Sequence, residues 1–227
     1  LLLLESKYPS YAVSVVESGT PEAYTSSNLR ASRATWGDIN NTSGWIYDYG
    51  EEDWFCNTFP PEAVNPTAVS RTKAGITYCN THSLTISAIG FGWCYDEELW
   101  SSYLTATQEY VDYCTTNSYP TKVFFTTGPV DGHLSYGEAG YTNYLRWNHI
   151  RDYVAEDPEL ILFDYADILC YNDAGQLATA TWDGHTYPVI HPDNMEGTGG
   201  TGHIGGNGCY RLGKAMWWML ARMAGWD

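Results

Sequence analysis

Short apolar runs alternate with longer segments of helical spacing through most of this chain, and this alternation limits the folds that it can adopt. The runs are continuous, which is typical of strands buried on both faces of a parallel sheet. The segments between them repeat apolar residues at steps of three and four, which predicts helices. The predicted strands are 83–89, 120–127 and 160–164, and the predicted helices are 68–79, 97–116, 141–155 and a terminal helix after His203. This order predicts an α/β domain with a mostly parallel sheet between helices, and we expect Trp217 and Trp218 of the terminal helix in its core.

The chain length predicts one domain with an added segment. A length of 227 residues and an apolar fraction of 44% suit a single α/β core. Residues 1–28 are predicted to form an N-terminal extension, in which 11–16 is a β-prone run that could pair with a second copy. Residues 29–227 are predicted to form the domain. Within it, 39–69 is an aromatic-rich excursion, which favours a sugar-stacking or interface surface, or a loop packed on its own aromatic rings.

The charge balance excludes several classes of partner. The chain has 27 acidic and 11 basic residues and a net charge of −16, whereas nucleic acids and anionic membranes require clustered cations. No segment is long and apolar enough to predict a membrane span. His185, His191 and Asp193 share one long segment without the tight spacing of metal ligands. We therefore predict no nucleic acid partner, no metal and no cofactor.

The cysteine pattern favours an oxidising compartment. Six cysteines occur, an even number, and none forms a CxxC pair. Few lysines and many Tyr and Trp residues accompany them, which suggests a secreted protein with disulfides. Asn40-Asn41-Thr42-Ser43 contains two overlapping glycosylation sequons. We expect an extracellular glycoprotein, with the disulfide pairing left open.

The predicted topology indicates where a ligand would bind. In a parallel α/β sheet, ligands bind beyond the carboxyl ends of the strands. His203 is expected there, on the glycine-rich loop that leads into the terminal helix. The other segments expected at this edge are 33–38, 92–96, 128–133 and 166–172.

Several segments of this chain resemble the SGNH (GDSL-type) hydrolase superfamily, and in particular a group of secreted bacterial and archaeal proteins of that fold. The resemblance rests on VFFTTGPVDG at 123–132, on 148–173, on Trp93-Cys94, and on His203 with the terminal helix. It implies a flavodoxin-like, three-layer α/β/α fold. It also implies ester hydrolysis, often deacetylation of polysaccharides, where the catalytic site is intact.

The resemblance assigns roles to individual residues. His203 matches the family's base, and Thr35 of Arg33-Ala34-Thr35 stands where the related secreted proteins carry the serine of a His-x-Ser motif. The carboxylate expected three residues before the base is Gly200 here. Where the family has an oxyanion asparagine, this chain has Trp93-Cys94-Tyr95. Three of the four roles are therefore altered, which predicts a degraded catalytic site.

The residues leave alternatives for these roles open. Ser32 and Cys94 are the other candidate nucleophiles. Asp96, Asp131 and Asp193 are the candidates to orient His203 from another loop.

Two functions follow from these residues. The first is a non-catalytic extracellular role, either in assembly of a filament or surface through the strand at 11–16 or in contact with a polysaccharide. The alternative is a divergent carbohydrate esterase that uses Thr35 and His203.

Overall fold

The computed structural model describes residues 66–82, 86–90, 100–128, 130, 132, 135–197 and 202–226, together with the backbone of four short strands before residue 47. Most of the predicted excursion 39–69 lies outside these residues, as do Asp96, Asp131 and the segment 93–95.

Three parallel strands form the main sheet, in the order β5 (Ala88–Gly90), β6 (Lys122–Thr126) and β7 (Ile161–Phe163). Ala88 pairs with Lys122, and Phe124 pairs with Ile161. In the central strand β6, every residue after Lys122 is buried. Burial on both faces explains why the sequence of this strand is a continuous apolar run, and the mixed α/β class with a parallel sheet is confirmed.

Three long helices of the described chain precede or connect these strands: α1 (Pro66–Thr81), α2 (Trp100–Thr116) and α3 (Gly137–Ala155). α2 connects β5 to β6, and α3 connects β6 to β7. Because such crossovers are almost always right-handed, two of them in the same direction place α2 and α3 on one face of the sheet. α2 contacts both α1 and α3. Within the described ranges, none of the helices has the length and apolarity that a membrane crossing demands.

The chain after β7 contains more regular structure than its sequence predicted. A short helix, α4 (Tyr165–Cys170), follows the strand after one residue. Strands β8 (Thr179–Trp182) and β9 (His185–Pro188) form an antiparallel hairpin that contacts α3. The long helix α5 (Gly206–Met223) packs against α4 and against a 3-10 turn at Pro192–Asn194. The segment 171–202, predicted as irregular, therefore contains a hairpin and a helical turn.

Four short strands precede α1. β1 (Val13–Val16) pairs in parallel with β2 (Leu29–Ser32), and β3 (Thr35–Trp36) pairs with β4 (Trp45–Ile46) in antiparallel orientation. The β-prone run of the predicted extension is thus a strand, and its partner lies in the same chain. Whether it also pairs with a second copy stays a prediction.

One apolar cluster joins these elements. Its most buried large side chains include Tyr103 of α2, Phe125 of β6, Ile150 of α3 and Leu169 of α4. The Tyr103 hydroxyl accepts a hydrogen bond of 2.6 Å from the backbone N–H of Thr126. A helix side chain therefore satisfies a backbone donor at the end of the central strand.

No disulfide joins Cys79, Cys114, Cys170 and Cys209 to one another, and Cys56 and Cys94 lie outside the described residues, so the predicted disulfides stay a prediction. One sequence prediction changes in the structure. Trp218 is 58% exposed rather than in the core, because the buried face of α5 is that of Met219.

Candidate functional site

The carboxyl edge of the sheet begins where β6 ends, at Thr127 and Gly128. The Thr127 hydroxyl donates to Asp164 Oδ1 at 2.9 Å and accepts from the backbone N–H of Ala166 at 3.0 Å. A side chain on Gly128 would place its Cβ 1.8 Å from the ring of Trp147, so only glycine fits. These contacts lock the end of β6 to the start of α4.

Asp164 is the main charged group of this edge. Its carboxylate also accepts from Arg151 Nε at 2.6 Å and Nη2 at 3.0 Å, and from the backbone N–H of Asp167 at 3.1 Å. Burial alone would lower the pKa of Arg151, but its hydrogen bonds to Asp164 and the charge of that carboxylate raise it. The pair is therefore charged, and Asp164 caps α4 while it binds α3 and β6.

Among the described cysteines, Cys170 lies near this ion pair and is not a nucleophile. Cys170 ends α4 and is buried. Burial raises the pKa of its thiol from 9.0 to about 12, and the negative charge of Asp167 adds to the shift. Because the thiolate is the reactive form of cysteine, Cys170 is a structural side chain at neutral pH.

The loop that carries His203 is fastened on both sides. The Gly132 N–H donates to the carbonyl oxygen of Gly202 at 2.8 Å, and the Glu196 N–H donates to the carbonyl oxygen of His203 at 2.8 Å. A Cβ on Gly202 would lie 1.7 Å from the carbonyl oxygen of Glu196, which explains a glycine there. These bonds place the exposed His203 beside the loop that follows β6, as the topology predicted.

The other predicted members of a catalytic site are not assembled by the described residues. Thr35 is the first residue of β3 and pairs with Ile46, but the structure describes only its backbone. A contact between the Thr35 side chain and His203 therefore stays a prediction. Asp193 contacts other groups: its backbone N–H donates to His191 Nδ1 at 3.1 Å, and Asn172 Nδ2 lies 3.5 Å from its carboxylate. Among the described residues, no group of three or more His, Cys, Asp or Glu side chains could hold a metal ion.

A cluster of aromatic rings forms where the hairpin packs on α3. Tyr141 stacks on His185, with ring centroids 4.6 Å apart and planes 11° from parallel, and its centroid is 5.7 Å from that of Trp182. The ring centroids of Tyr144 and Tyr141 are 6.2 Å apart. The buried Tyr187 supports both tyrosines from below, at 5.6 and 5.9 Å. We call Tyr141, Tyr144, Trp182 and His185 the aromatic platform.

A tight turn positions the hairpin half of the platform. Asp183 and Gly184 both have positive φ, 46° and 78°, as a two-residue type I′ turn requires. The Asp-Gly pair between two β-prone runs is the sequence signal that would have predicted this hairpin. The exposed Thr181 and Thr186 hydroxyls lie 3.2 Å apart on the opposite face of the hairpin, because their cross-strand pair is next to that of Trp182 and His185.

The platform has the chemistry of a sugar-contacting surface. Half-buried rings held by their neighbours offer apolar faces to the C–H groups of a pyranose, and they lose little conformational freedom on binding. His185 is exposed, and the nitrogen atoms of its ring can exchange hydrogen bonds with sugar hydroxyls.

A second concave surface lies between α1 and α2. It is a groove of about 920 Å³, lined by residues that include Tyr78, Thr77 and Tyr113. Lys73 Nζ contacts Glu109 Oε2 at 2.9 Å across it, and Thr77 Oγ1 lies 2.5 Å from the Tyr113 hydroxyl. These two bonds tie the walls together, so the polar groups of this groove are occupied with one another.

Comparisons with protein family models, curated proteins and solved structures find no match to this chain. The resemblance to SGNH hydrolases therefore stays a prediction from the sequence.

Proposed function

We propose that this protein is a secreted, non-catalytic, glycan-contacting protein built on an SGNH-like three-layer α/β/α domain. The observation that carries the proposal is the aromatic platform, in which the ring centroids of Tyr141 and His185 are stacked 4.6 Å apart with Trp182 beside them. An acidic chain with a net charge of −16 suits a neutral polysaccharide better than a polyanion.

The state of the sheet edge supports a role without catalysis. Asp164 is held by Arg151, Thr127 and the start of α4, so this carboxylate is committed to structure. The Cys170 thiol is buried with a raised pKa. In the described part of this edge, the polar groups next to β6 and β7 thus stabilise the fold and are not arranged as a nucleophile with its base.

Binding to a panel of insoluble neutral polysaccharides tests the proposal. We expect Trp182→Ala to weaken binding by about tenfold, the loss of about 1.4 kcal/mol that an aromatic contact residue commonly contributes. Tyr141→Ala should weaken binding at least as much, because it also removes the support of His185. Affinity is measured by depletion of the protein from solution, and circular dichroism checks that each variant is folded.

A matched control and a competing location make this test decisive. Trp218→Ala removes an equally large, exposed ring from α5 and should leave binding unchanged. If Tyr113→Ala in the groove weakens binding while Trp182→Ala does not, the glycan site is the groove and the platform proposal is wrong. Wild-type protein that binds no polysaccharide in the panel also contradicts it.

The alternative proposal is a divergent carbohydrate esterase, and the fastened His203 loop favours it. The Thr35 hydroxyl would attack the acyl carbonyl, His203 would take its proton and pass it to the departing sugar hydroxyl, and water would then release the acid. Turnover of acetylated glycans that both Thr35→Ala and His203→Ala abolish would establish this activity. Activity lost only with His203→Ala would assign another nucleophile, and a folded protein without turnover would exclude the esterase.

A further inference from the structure

The outer side of α5 combines cations with aromatic rings in an otherwise acidic chain. Tyr210, Lys214, Trp218 and Arg222 follow one another at steps of four along the helix, so they lie on one side of it. The helix contains three basic residues and no acidic residue, although the whole chain has a net charge of −16. We call Tyr210, Lys214, Trp218, Arg222 and Trp226 the basic aromatic face.

Contacts within the face hold its side chains in place. Lys214 Nζ lies 5.8 Å from the ring centroid of Tyr210, and the Arg222 guanidinium lies 5.8 Å from that of Trp218. Arg222 also donates to the carbonyl oxygen of Trp226 at 3.1 Å. Trp218 and Trp226 are nevertheless 58% and 56% exposed. Preorganised, exposed Trp and Arg side chains are the residues that most often dominate the energy of a protein interface.

An acidic patch of complementary character lies where α2 and α3 meet. Tyr153 of α3 donates to Gln108 Oε1 at 2.9 Å, and Gln108 donates to Asp112 Oδ1 at 2.9 Å, so Asp112 lies beside the end of α3. The carboxylates of the patch are all exposed; they are Asp112, Asp152, Glu156 and Asp157. Within the described part of the chain, no ion pair neutralises any of the four. Burial raises the pKa of Tyr153, and the negative charges of Asp112, Glu156 and Asp157 raise it further.

We infer that the basic aromatic face binds the acidic patch of a second copy of this chain, in a head-to-tail contact. The two surfaces are opposite in charge, which favours encounter and fixes the orientation of the partners. A symmetric contact between two α5 helices is disfavoured, because it would bring Lys214 and Arg222 against their own counterparts. When two copies join through unlike surfaces, the pair still has one free basic aromatic face and one free acidic patch. Further copies can therefore add, and the assembly continues into a ring or a filament.

The inferred contact is independent of glycan binding, since it uses neither the platform nor the sheet edge. A polyanionic glycan is the competing occupant of the same face, and it would bind a monomer.

Charge variants of the two surfaces test the inference. Lys214→Glu with Arg222→Glu reverses the charge of the face, and Glu156→Lys with Asp157→Lys neutralises the patch, because the two lysines balance the two remaining carboxylates. We expect the wild type to self-associate in sedimentation velocity at low salt, and each double variant alone to associate at least tenfold more weakly. An equimolar mixture of the two variants should form pairs, because the intact face of the patch variant then meets the intact patch of the face variant. Salt near 0.5 M should weaken association, since the screening length falls well below ~8 Å.

Controls separate this contact from other effects of charge. Glu138→Lys with Glu196→Lys makes the same change in net charge as the patch variant at exposed positions outside both surfaces and should leave association intact. Circular dichroism and melting temperatures establish that every variant is folded. The inference is overturned if the wild type stays monomeric at low salt, if the mixture of variants fails to associate, or if a monomeric wild type binds a uronate polymer through this face.

Discussion

At the scale of single residues, Asp164 has the largest structural role among the described polar side chains. It sits at the carboxyl end of β7, and its carboxylate reaches α3, α4 and the end of β6. Its side chain is 24% exposed and that of Arg151 is 26% exposed. A partly buried charge of this kind stabilises the fold only while its partner is present.

Removing that partner gives a first prediction. Arg151→Ala leaves the Asp164 carboxylate partly buried without its ion pair, so we expect the free energy of unfolding to fall by about 3 kcal/mol. Urea denaturation monitored by circular dichroism measures the change. Lys73→Ala is the matched control, because its partner Glu109 is 43% exposed and stays hydrated without the pair, so the loss should be less than about 1 kcal/mol. Equal losses in the two variants would contradict the special role of Asp164.

Gly202 and Gly206 differ in the space around them, and this difference gives a second prediction at this scale. Gly202→Ala would force the loop away from Glu196, whereas a Cβ on Gly206 meets no atom within 4 Å. We expect Gly202→Ala to lower the melting temperature and to shift the NMR resonances of His203. Gly206→Ala, at the start of α5, should be neutral or stabilising by up to about 1 kcal/mol, because alanine favours the helix and restricts the unfolded chain. A melting temperature unchanged by Gly202→Ala would show that the loop is not held in this way.

At the scale of elements, the β8–β9 hairpin depends on its turn. A two-residue type I′ turn needs two residues of positive φ, and valine at position 184 would adopt that conformation only with strain. We expect Gly184→Val to destabilise the hairpin by about 1–2 kcal/mol and to loosen the platform. Asp183→Asn, which suits the same turn, should be neutral. Near-ultraviolet circular dichroism reports the packing of Trp182 in both variants, and an unchanged spectrum in Gly184→Val would contradict the dependence.

The elements also show how far sequence patterns reach. Continuous apolar runs correctly predicted β6 and β7, and three-four spacing predicted α2, α3 and α5. Short α4 was missed because its apolar residues follow a strand directly; the cue is the N-cap Asp164, which accepts from the N–H of Asp167. Trp218 was predicted in the core because its side chain is apolar. Its position four residues after the exposed Lys214 puts it on the solvent side of the helix instead.

At the scale of the whole molecule, the core sets the response to alkaline pH. Burial raises the pKa of Tyr103 and that of Tyr110 from 10.0 to about 12, partly offset at Tyr103 by hydrogen bonds from Thr126. Between pH 10 and about pH 12, the unfolded chain loses protons from these hydroxyls that the native protein keeps. The stabilising contribution of each hydroxyl is therefore complete below pH 10 and is lost as pH rises towards 12.

This linkage gives a prediction for the pH dependence of stability. The free energy of unfolding should fall above pH 10, with each buried tyrosine contributing a slope of about −1.4 kcal/mol per pH unit. Cys170 begins to contribute above pH 9.0, its ordinary pKa, in the same direction. Urea denaturation across pH 9 to 12 should show a shallower fall in Tyr110→Phe than in the wild type. If stability falls with pH as steeply in Tyr110→Phe as in the wild type, the pKa of Tyr110 is the same in the folded and the unfolded protein, and the prediction is wrong.

The sequence by itself determined the α/β class, the parallel central strands, the long helices and the position of His203 at the start of the last one. Those features follow from local periodicity and from the rule that parallel strands end at one edge. Only the tertiary structure decided that Asp164 joins Arg151 and Thr127, and that the rings of a hairpin stack on Tyr141. The physical reason is separation along the chain: Thr127 and Asp164 are 37 residues apart, and their contact depends on how strands and helices pack, which no local pattern encodes.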